Sequence, residues 1–166
     1  MIFLGLGSNI GNKVDNLRNS IFQMEESNIH VLRCSAVYRT PAWGIEAQED
    51  FVNAVCEVQF AGTAEELLTA LLGIEQMMGR RRIMKWGPRL IDLDILEFHR
   101  QQVISEHLTL PHPYYPQRSF VLAPFQDLEP DWIPTGHSLS ISTLLLEQAD
   151  SDITKLSESL IISEQE

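Results

Sequence analysis

The apolar positions of this chain follow two periods, and where one gives way to the other marks out its elements. Ile2-Phe3-Leu4-Gly5-Leu6-Gly7 is an almost unbroken apolar run and predicts a buried strand over 2–7. The glycine-rich stretch Gly5-Leu6-Gly7-Ser8-Asn9-Ile10-Gly11 then breaks it, and a tight turn is the simplest use for those glycines. Asn12 stands where a helix cap belongs, Asp15 falls in the first turn, and Val14, Leu17, Ile21 and Met24 recur on one helical face. Residues 31–38 read as a second strand, followed by a loop from Thr40 to about Asp50 that contains Pro41, Trp43 and Gly44. Alternation is strictest over 51–60. Val52, Ala54, Cys56, Val58 and Phe60 point to one face, whereas Phe51, Asn53, Val55, Glu57 and Gln59 point to the other, where they can meet solvent or a ligand. Thr63 and Glu66 have capping-box spacing before the apolar stripe Leu67, Leu68, Leu71, Leu72, Ile74 and Met78, and Gly79 supplies the stop. A strand is predicted at 91–98, and helices at 118–127 and 141–148.

The order strand, helix, strand, strand, helix, strand predicts an α+β fold with a ferredoxin-like βαββαβ core. Both helices cover one face of an antiparallel sheet and leave the other to loops and ligand. With 166 residues, 44% of them hydrophobic, the chain suits a single domain over 1–166. The segment 151–166 is an acidic tail, with Asp152, Glu158, Glu164 and Glu166 against Lys155. Its Leu156, Leu160, Ile161 and Ile162 are enough to dock a short helix. The first apolar stretch has no basic segment before it and turns too early for a secretion signal, which points to the cytoplasm. Cys34 and Cys56 lie in apolar strand-like stretches and read as reduced core residues.

A formal charge of −11 argues against a general nucleic-acid binder, and no apolar run approaches the roughly 20 residues that span a bilayer, so no membrane is expected as a partner. The placement of the positive charge says more. Of twelve Lys and Arg residues, Arg80, Arg81, Arg82, Lys85 and Arg89 fall within ten positions, which a localised anionic ligand explains better than a solvated charge run does. Immediately downstream, Ile91, Leu93 and Ile95 share one face of a strand and Asp92 and Asp94 the other, with their α-carbons about 6–7 Å apart. Carboxylates aimed at one spot repel unless a cation or proton intervenes. The residues alone leave three readings open: a Mg²⁺ site, a solvated acidic strand, or a general acid–base pair. Arginine forks beside a metal would suit a polyphosphate. No Walker A or dinucleotide fingerprint is present. His112 and Arg118 lie in the proline-stiffened loop Leu110-Pro111-His112-Pro113-Tyr114-Tyr115-Pro116-Gln117-Arg118, where both can reach a phosphate. A metal-dependent phosphodiesterase or nuclease, and a non-catalytic nucleotide-binding module, would also use such parts.

Taken together, Gly5–Asn9, Tyr38-Arg39-Thr40-Pro41, Phe51-Val52-Asn53-Ala54, Gly79–Arg82, Trp86–Leu96 and Leu110–Leu122 resemble the 6-hydroxymethyl-7,8-dihydropterin pyrophosphokinase family of folate biosynthesis. The stretch Trp86-Gly87-Pro88-Arg89-Leu90-Ile91-Asp92-Leu93-Asp94-Ile95-Leu96 is the most specific of these. The resemblance implies a ferredoxin-like core and transfer of pyrophosphate from ATP to the pterin hydroxymethyl group, yielding AMP. It implies two Mg²⁺ ions on Asp92 and Asp94. Arg80, Arg82, Arg89, His112 and Arg118 would contact phosphates, with Arg82 and Arg89 acting in catalysis, and Ile95 and Thr109 would lie near the nucleotide. The pterin would be held by Thr40, Pro41, Trp43, Phe51, Asn53, Trp86 and Phe120. Trp43 stands where a smaller aliphatic residue is common, Phe51 where tyrosine is, and Met84-Lys85 where Glu-Arg is frequent.

Overall fold

A computed structural model describes residues 1–41, 49–79, 90–148 and 152–161. Its central strand, β1 (Ile2–Ser8), is buried on both faces, as its near-continuous apolar sequence requires. Helix α1 (Lys13–Glu26) starts at Asn12, whose side chain accepts from the Asp15 N–H, and buries Leu17 and Met24. Strand β2 (His30–Cys34), strand β3 (Tyr38–Thr40) and strand β4 (Phe51–Gln59) follow. Helix α2 (Ala64–Met77) begins in the Thr63/Glu66 capping box and runs out at Gly79, whose φ of 88° suits glycine. Strand β5 (Asp92–Phe98) completes the core. β1 pairs antiparallel with β5 on one side and β4 on the other, and β4 in turn pairs with both β2 and β3. This is the predicted ferredoxin-like βαββαβ arrangement. Among the described residues no helix is long and apolar enough to cross a membrane.

One face of the sheet packs on α1 and α2. Leu17, Met24, Leu67, Leu71 and Ile74 meet Ile2, Leu4, Leu6, Ala54, Cys56, Leu93 and Ile95, the positions that alternation assigns to that face. Cys34 and Cys56 are free and stand opposite each other in β2 and β4. Burial pushes the Cys56 thiol well up, and the neighbouring Cys34 adds to this.

Three expectations need correcting. The strand expected over 31–38 is two strands, because Ser35 interrupts the ladder. Its N–H donates to the Val55 carbonyl at 2.8 Å, and its hydroxyl, rather than a backbone carbonyl, accepts from the Val55 N–H at 2.9 Å. The opposite sheet face is not left wholly to loops and ligand. Helix α3 (Ser119–Leu128) and helix α4 (Ile141–Glu147) cover half of it, packing Leu122, Phe125, Trp132 and Ile141 on Phe3, Val55 and Leu96. Over its described residues, 152–161, the tail docks through a strand rather than a helix: after the short hairpin strands β6 (Val103–Ile104) and β7 (Thr109–Leu110), β8 (Thr154–Lys155) pairs with β3, and Leu160 is buried in the helix-side core.

An extra residue in β5 directs the second layer. Leu4 pairs with Ile95 but Phe3 with Glu97, so Leu96 is bulged out. Simple alternation would send Glu97 toward the helices; the bulge turns both Leu96 and Glu97 to the α3 side. There the fully buried Glu97 accepts from Tyr115 Oη at 2.7 Å, from the Thr135 N–H at 2.9 Å and Oγ1 at 2.8 Å, and from Trp132 Nε1 at 3.4 Å. Arg100 lies over the Trp132 ring, 3.8 Å from its centroid. Burial, reinforced by the Glu97 charge, pushes the Tyr115 phenol far above its ordinary range, so it remains a donor. Truncating Glu97 would strand these buried donors together. Glu97→Ala is expected to cost about 3 kcal/mol or more in a urea titration; a loss under about 1 kcal/mol would show that the network is dispensable.

Candidate active site

The half of the second sheet face that α3 leaves bare forms a cavity of about 300 Å³. Its floor exists because β1 carries glycine there. Gly5 and Gly7 stand opposite Asp94 and Asp92 on β5, and opposite Val55 and Asn53 on β4. A Cβ at Gly7 would lie 2.9 Å from Asn53 Oδ1, and one at Gly5 would lie 3.4 Å from Leu96 Cδ2. These two glycines therefore serve close approach inside a strand, not the tight turn expected from the sequence. Gly11, with φ 70°, serves the turn.

Asp92 and Asp94 enter the cavity from β5 because Leu93 and Ile95 are held in the helix-side core. On the strand's outer edge the Leu93 N–H donates to Glu75 Oε1 of α2 at 2.8 Å. Antiparallel alternation puts the peptide groups of Ile95 on that same edge, while its side chain is buried on the far face. Any contact from Ile95 to a ligand is therefore made by main chain. Beside β5, the His112 N–H donates to the Leu96 carbonyl at 2.9 Å and so pins the proline-rich loop. His112 Nδ1 accepts from the Tyr114 N–H at 3.2 Å, which leaves the proton of a neutral ring on Nε2. Burial, with Arg118 nearby, lowers the His112 pKa to about 4 against a smaller opposing pull from Asp92, so the ring is neutral near pH 7. Arg118 completes this polar end, at the start of α3.

The other end is flatter and less charged. Thr40 and Pro41 reach it from the end of β3, Phe51 and Asn53 from the exposed face of β4, and Phe120 and Val121 from the first turn of α3. The Asn53 amide donates to Thr40 Oγ1 at 3.4 Å, which orients both groups across the β3–β4 pair. The structure thus gathers Thr40, Pro41, Phe51, Asn53, Asp92, Asp94, His112, Arg118 and Phe120 around one cavity. Thr109 lies in β7, half-buried and away from its lining. Trp43, Arg80, Arg82, Trp86 and Arg89 lie outside the described residues. Sequence reasoning missed the lining contributed by Tyr115 and Leu96 and the floor role of Gly5 and Gly7. The alternation of β1 held the signal for the glycines, since they occupy the same face as the adjacent aspartates.

The donor set can be tested against a cation. Among the described residues no three His, Cys, Asp or Glu side chains gather as a metal cage. Two carboxylates on one strand face, above a glycine floor, instead suit an ion such as Mg²⁺, which keeps water and substrate oxygens in its remaining positions. The residues present fit that group.

Known proteins agree with this geometry. The family model described as 7,8-dihydro-6-hydroxymethylpterin-pyrophosphokinase matches residues 3–130. Over 148 residues the chain is 40% identical to a 2-amino-4-hydroxy-6-hydroxymethyldihydropteridine pyrophosphokinase of Synechocystis, covering 89% of this chain and 75% of that one. The protein of the same name from Aquifex aeolicus is 36% identical over 132 residues, covering 80% and 82%. In fold, the chain resembles the crystal structure of Plasmodium falciparum HPPK-DHPS with pteroate, with a TM-score of 0.70 at 14% identity over 88% of this chain and 42% of that one. A match across most of its length, to relatives it covers by three quarters or more, means that this chain belongs to the 7,8-dihydro-6-hydroxymethylpterin-pyrophosphokinase family.

Proposed function

We propose that this chain transfers the pyrophosphoryl group of ATP to the hydroxymethyl group of 6-hydroxymethyl-7,8-dihydropterin, with two Mg²⁺ ions held by Asp92 and Asp94. The observation that carries this reading is a single cavity with two unlike ends: carboxylates, His112 and Arg118 at one, and Thr40, Asn53 and apolar walls at the other. A polyphosphate needs the first end. A flat heterocycle with a polar edge needs the second.

In this reading the pterin lies between Phe51 and Phe120, with its polar edge toward Asn53 and Thr40. Its hydroxyl oxygen attacks the β-phosphorus and loses its proton. A new O–Pβ bond forms, the bond from Pβ to the α–β bridging oxygen breaks, and AMP leaves. Mg²⁺ would supply neutralisation of the crowded phosphate charge and hold the chain of phosphates for in-line attack. Neutral His112 presents its Nε2–H to a phosphate oxygen without adding charge, and Arg118 adds a fixed positive charge. The main-chain edge of β5 at Ile95 suits a hydrogen-bonding base, with Thr109 beyond it. Arg80, Arg82 and Arg89 complete the phosphate contacts, with Arg82 and Arg89 stabilising the transition state. Trp43 and Trp86 add closing aromatics.

The deciding measurement is coupled detection of AMP and pterin pyrophosphate, with and without Mg²⁺. Formation of both, strictly dependent on the reduced pterin and on Mg²⁺, is expected. ATP hydrolysis at the same rate without acceptor would sink the reading. Asp94→Ala is expected to lower turnover at least about a hundredfold while the far-ultraviolet spectrum stays unchanged. A rate equal to the parent at limiting Mg²⁺ would remove the metal assignment. Gly7→Ala pushes against Asn53, so pterin KM should rise about tenfold or more with ATP KM little changed. Unchanged pterin KM would mean that the floor tolerates a methyl group.

A further inference from the structure

The wall formed by Thr40 is held from behind. Tyr38 and Thr40 are two residues apart in β3 and so share the cavity face, with Tyr38 opposite Asn53 and Thr40 opposite Phe51. Tyr38 is nearly buried, and its hydroxyl donates to Asp127 Oδ1 at 2.8 Å. The other carboxylate oxygen, Oδ2, accepts from the Ala36 N–H at 3.1 Å. Asp127 belongs to the last turn of α3, whose first turn presents Phe120 to the same cavity. One carboxylate therefore ties together the two elements that carry opposite walls. Burial, and then the bond to Asp127, raises the Tyr38 phenol well above its ordinary range, so this donor keeps its proton.

The tail backs this joint. β8 pairs Lys155 with Tyr38 and Thr154 with Arg39, and the Leu156 N–H donates to the Val37 carbonyl at 2.8 Å. Lys155 Nζ lies 3.8 Å from Asp127 Oδ1 and 6.0 Å from the Tyr38 ring centroid. Further along, Leu160 is buried among the helices and Arg18 grips the Ser159 carbonyl through Nε at 3.1 Å and Nη2 at 2.8 Å. The tail is thus fastened on both sides of the site's back wall, although it lies beyond the residues 3–130 that match the family.

We propose that Asp127 is a positioning residue for the pterin-binding wall, and that β8 is a strap that holds Tyr38 against it. The proposal rests on the reading of Thr40, Asn53 and Phe120 as the pterin site. It separates pterin affinity from nucleotide affinity, because the aspartates and His112 hang on β5 and its neighbouring loop, not on β3, and Arg118 stands at the opposite end of α3 from Asp127.

Steady-state kinetics on the full chain, with ATP and pterin varied separately, test it alongside thermal unfolding. Asp127→Ala should raise pterin KM about tenfold, the scale of one or two lost hydrogen bonds, and leave kcat and ATP KM within about twofold. Asp127→Asn, which keeps an acceptor for Tyr38, should recover most of that loss. Tyr38→Phe and Lys155→Ala should each raise pterin KM by a few fold, and their effects should fall short of additivity with Asp127→Ala. An unchanged pterin KM in Asp127→Ala overturns the proposal. So do parallel losses in both KM values and kcat, which would mark a general structural role. If Asp127→Ala fails to fold, Tyr38→Phe decides by the same split. A parent protein without pterin-dependent turnover would refute the functional reading itself; an active parent with an indifferent Asp127→Ala refutes only the positioning role.

Discussion

Two like charges fixed on one face of a strand are the constraint that the rest of this structure answers. Asp92 and Asp94 project to the same face from α-carbons about 6–7 Å apart, and like charges brought together on one face disfavour each other. Left to itself the strand would relieve this by slipping or turning. It does not, because Leu93 and Ile95, the residues that interleave with the aspartates, are locked into the core beneath α1 and α2. A one-residue slip would bury both carboxylates and expose both aliphatic side chains, a far larger penalty than the repulsion. The Glu75 carboxylate adds a second lock by taking the Leu93 N–H from the open edge. Charge is thus concentrated at the cavity by the burial of its neighbours. The adjacent glycines of β1 keep that concentrated charge reachable.

The same strand changes character at Leu96. Upstream of the bulge it offers polar groups to a ligand; downstream it offers a carboxylate to the protein itself. Glu97 is satisfied wholly by Tyr115, Trp132 and Thr135, so it organises the layer that closes half of the sheet face. The stacked and edge-on rings of Phe3, Tyr115, Phe125 and Trp132 fill the space around it. One extra residue therefore sets where the cavity stops and the second core begins.

Much of this was legible in the chain before any coordinates. Capping signals at Asn12, Thr63 and Glu66 placed α1 and α2, and the strict alternation of 51–60 and 91–96 assigned faces correctly. Those signals are local, set by backbone hydrogen bonding and side-chain period. The misses share a different cause. Ser35 breaks its strand through a hydroxyl that bonds to β4, Leu96 bulges in answer to β1, and β8 forms only because β3 has an edge to pair with. Each depends on a partner remote in sequence, which no window of neighbours contains. The Gly5 and Gly7 misreading is of the same kind: a glycine needed for a turn and a glycine needed for clearance look alike until the strand beside it is known. For the site, the residue types were readable as chemistry, but the floor that makes room for a ligand was not.

This division explains how unlike ends coexist in one small cavity. The charged end is built on β5 and the His112 loop, which are tied to each other by the His112–Leu96 hydrogen bond and to the helix-side core by Leu93 and Ile95. The flat end is built on β3, β4 and the start of α3, which are joined through Asn53, Tyr38 and Asp127. Two elements serve both ends: β1, through its two glycines, and the start of α3, which carries Arg118 toward one and Phe120 toward the other. On the proposed reading, the two substrates are presented by two sets of supports that share β1 and the start of α3.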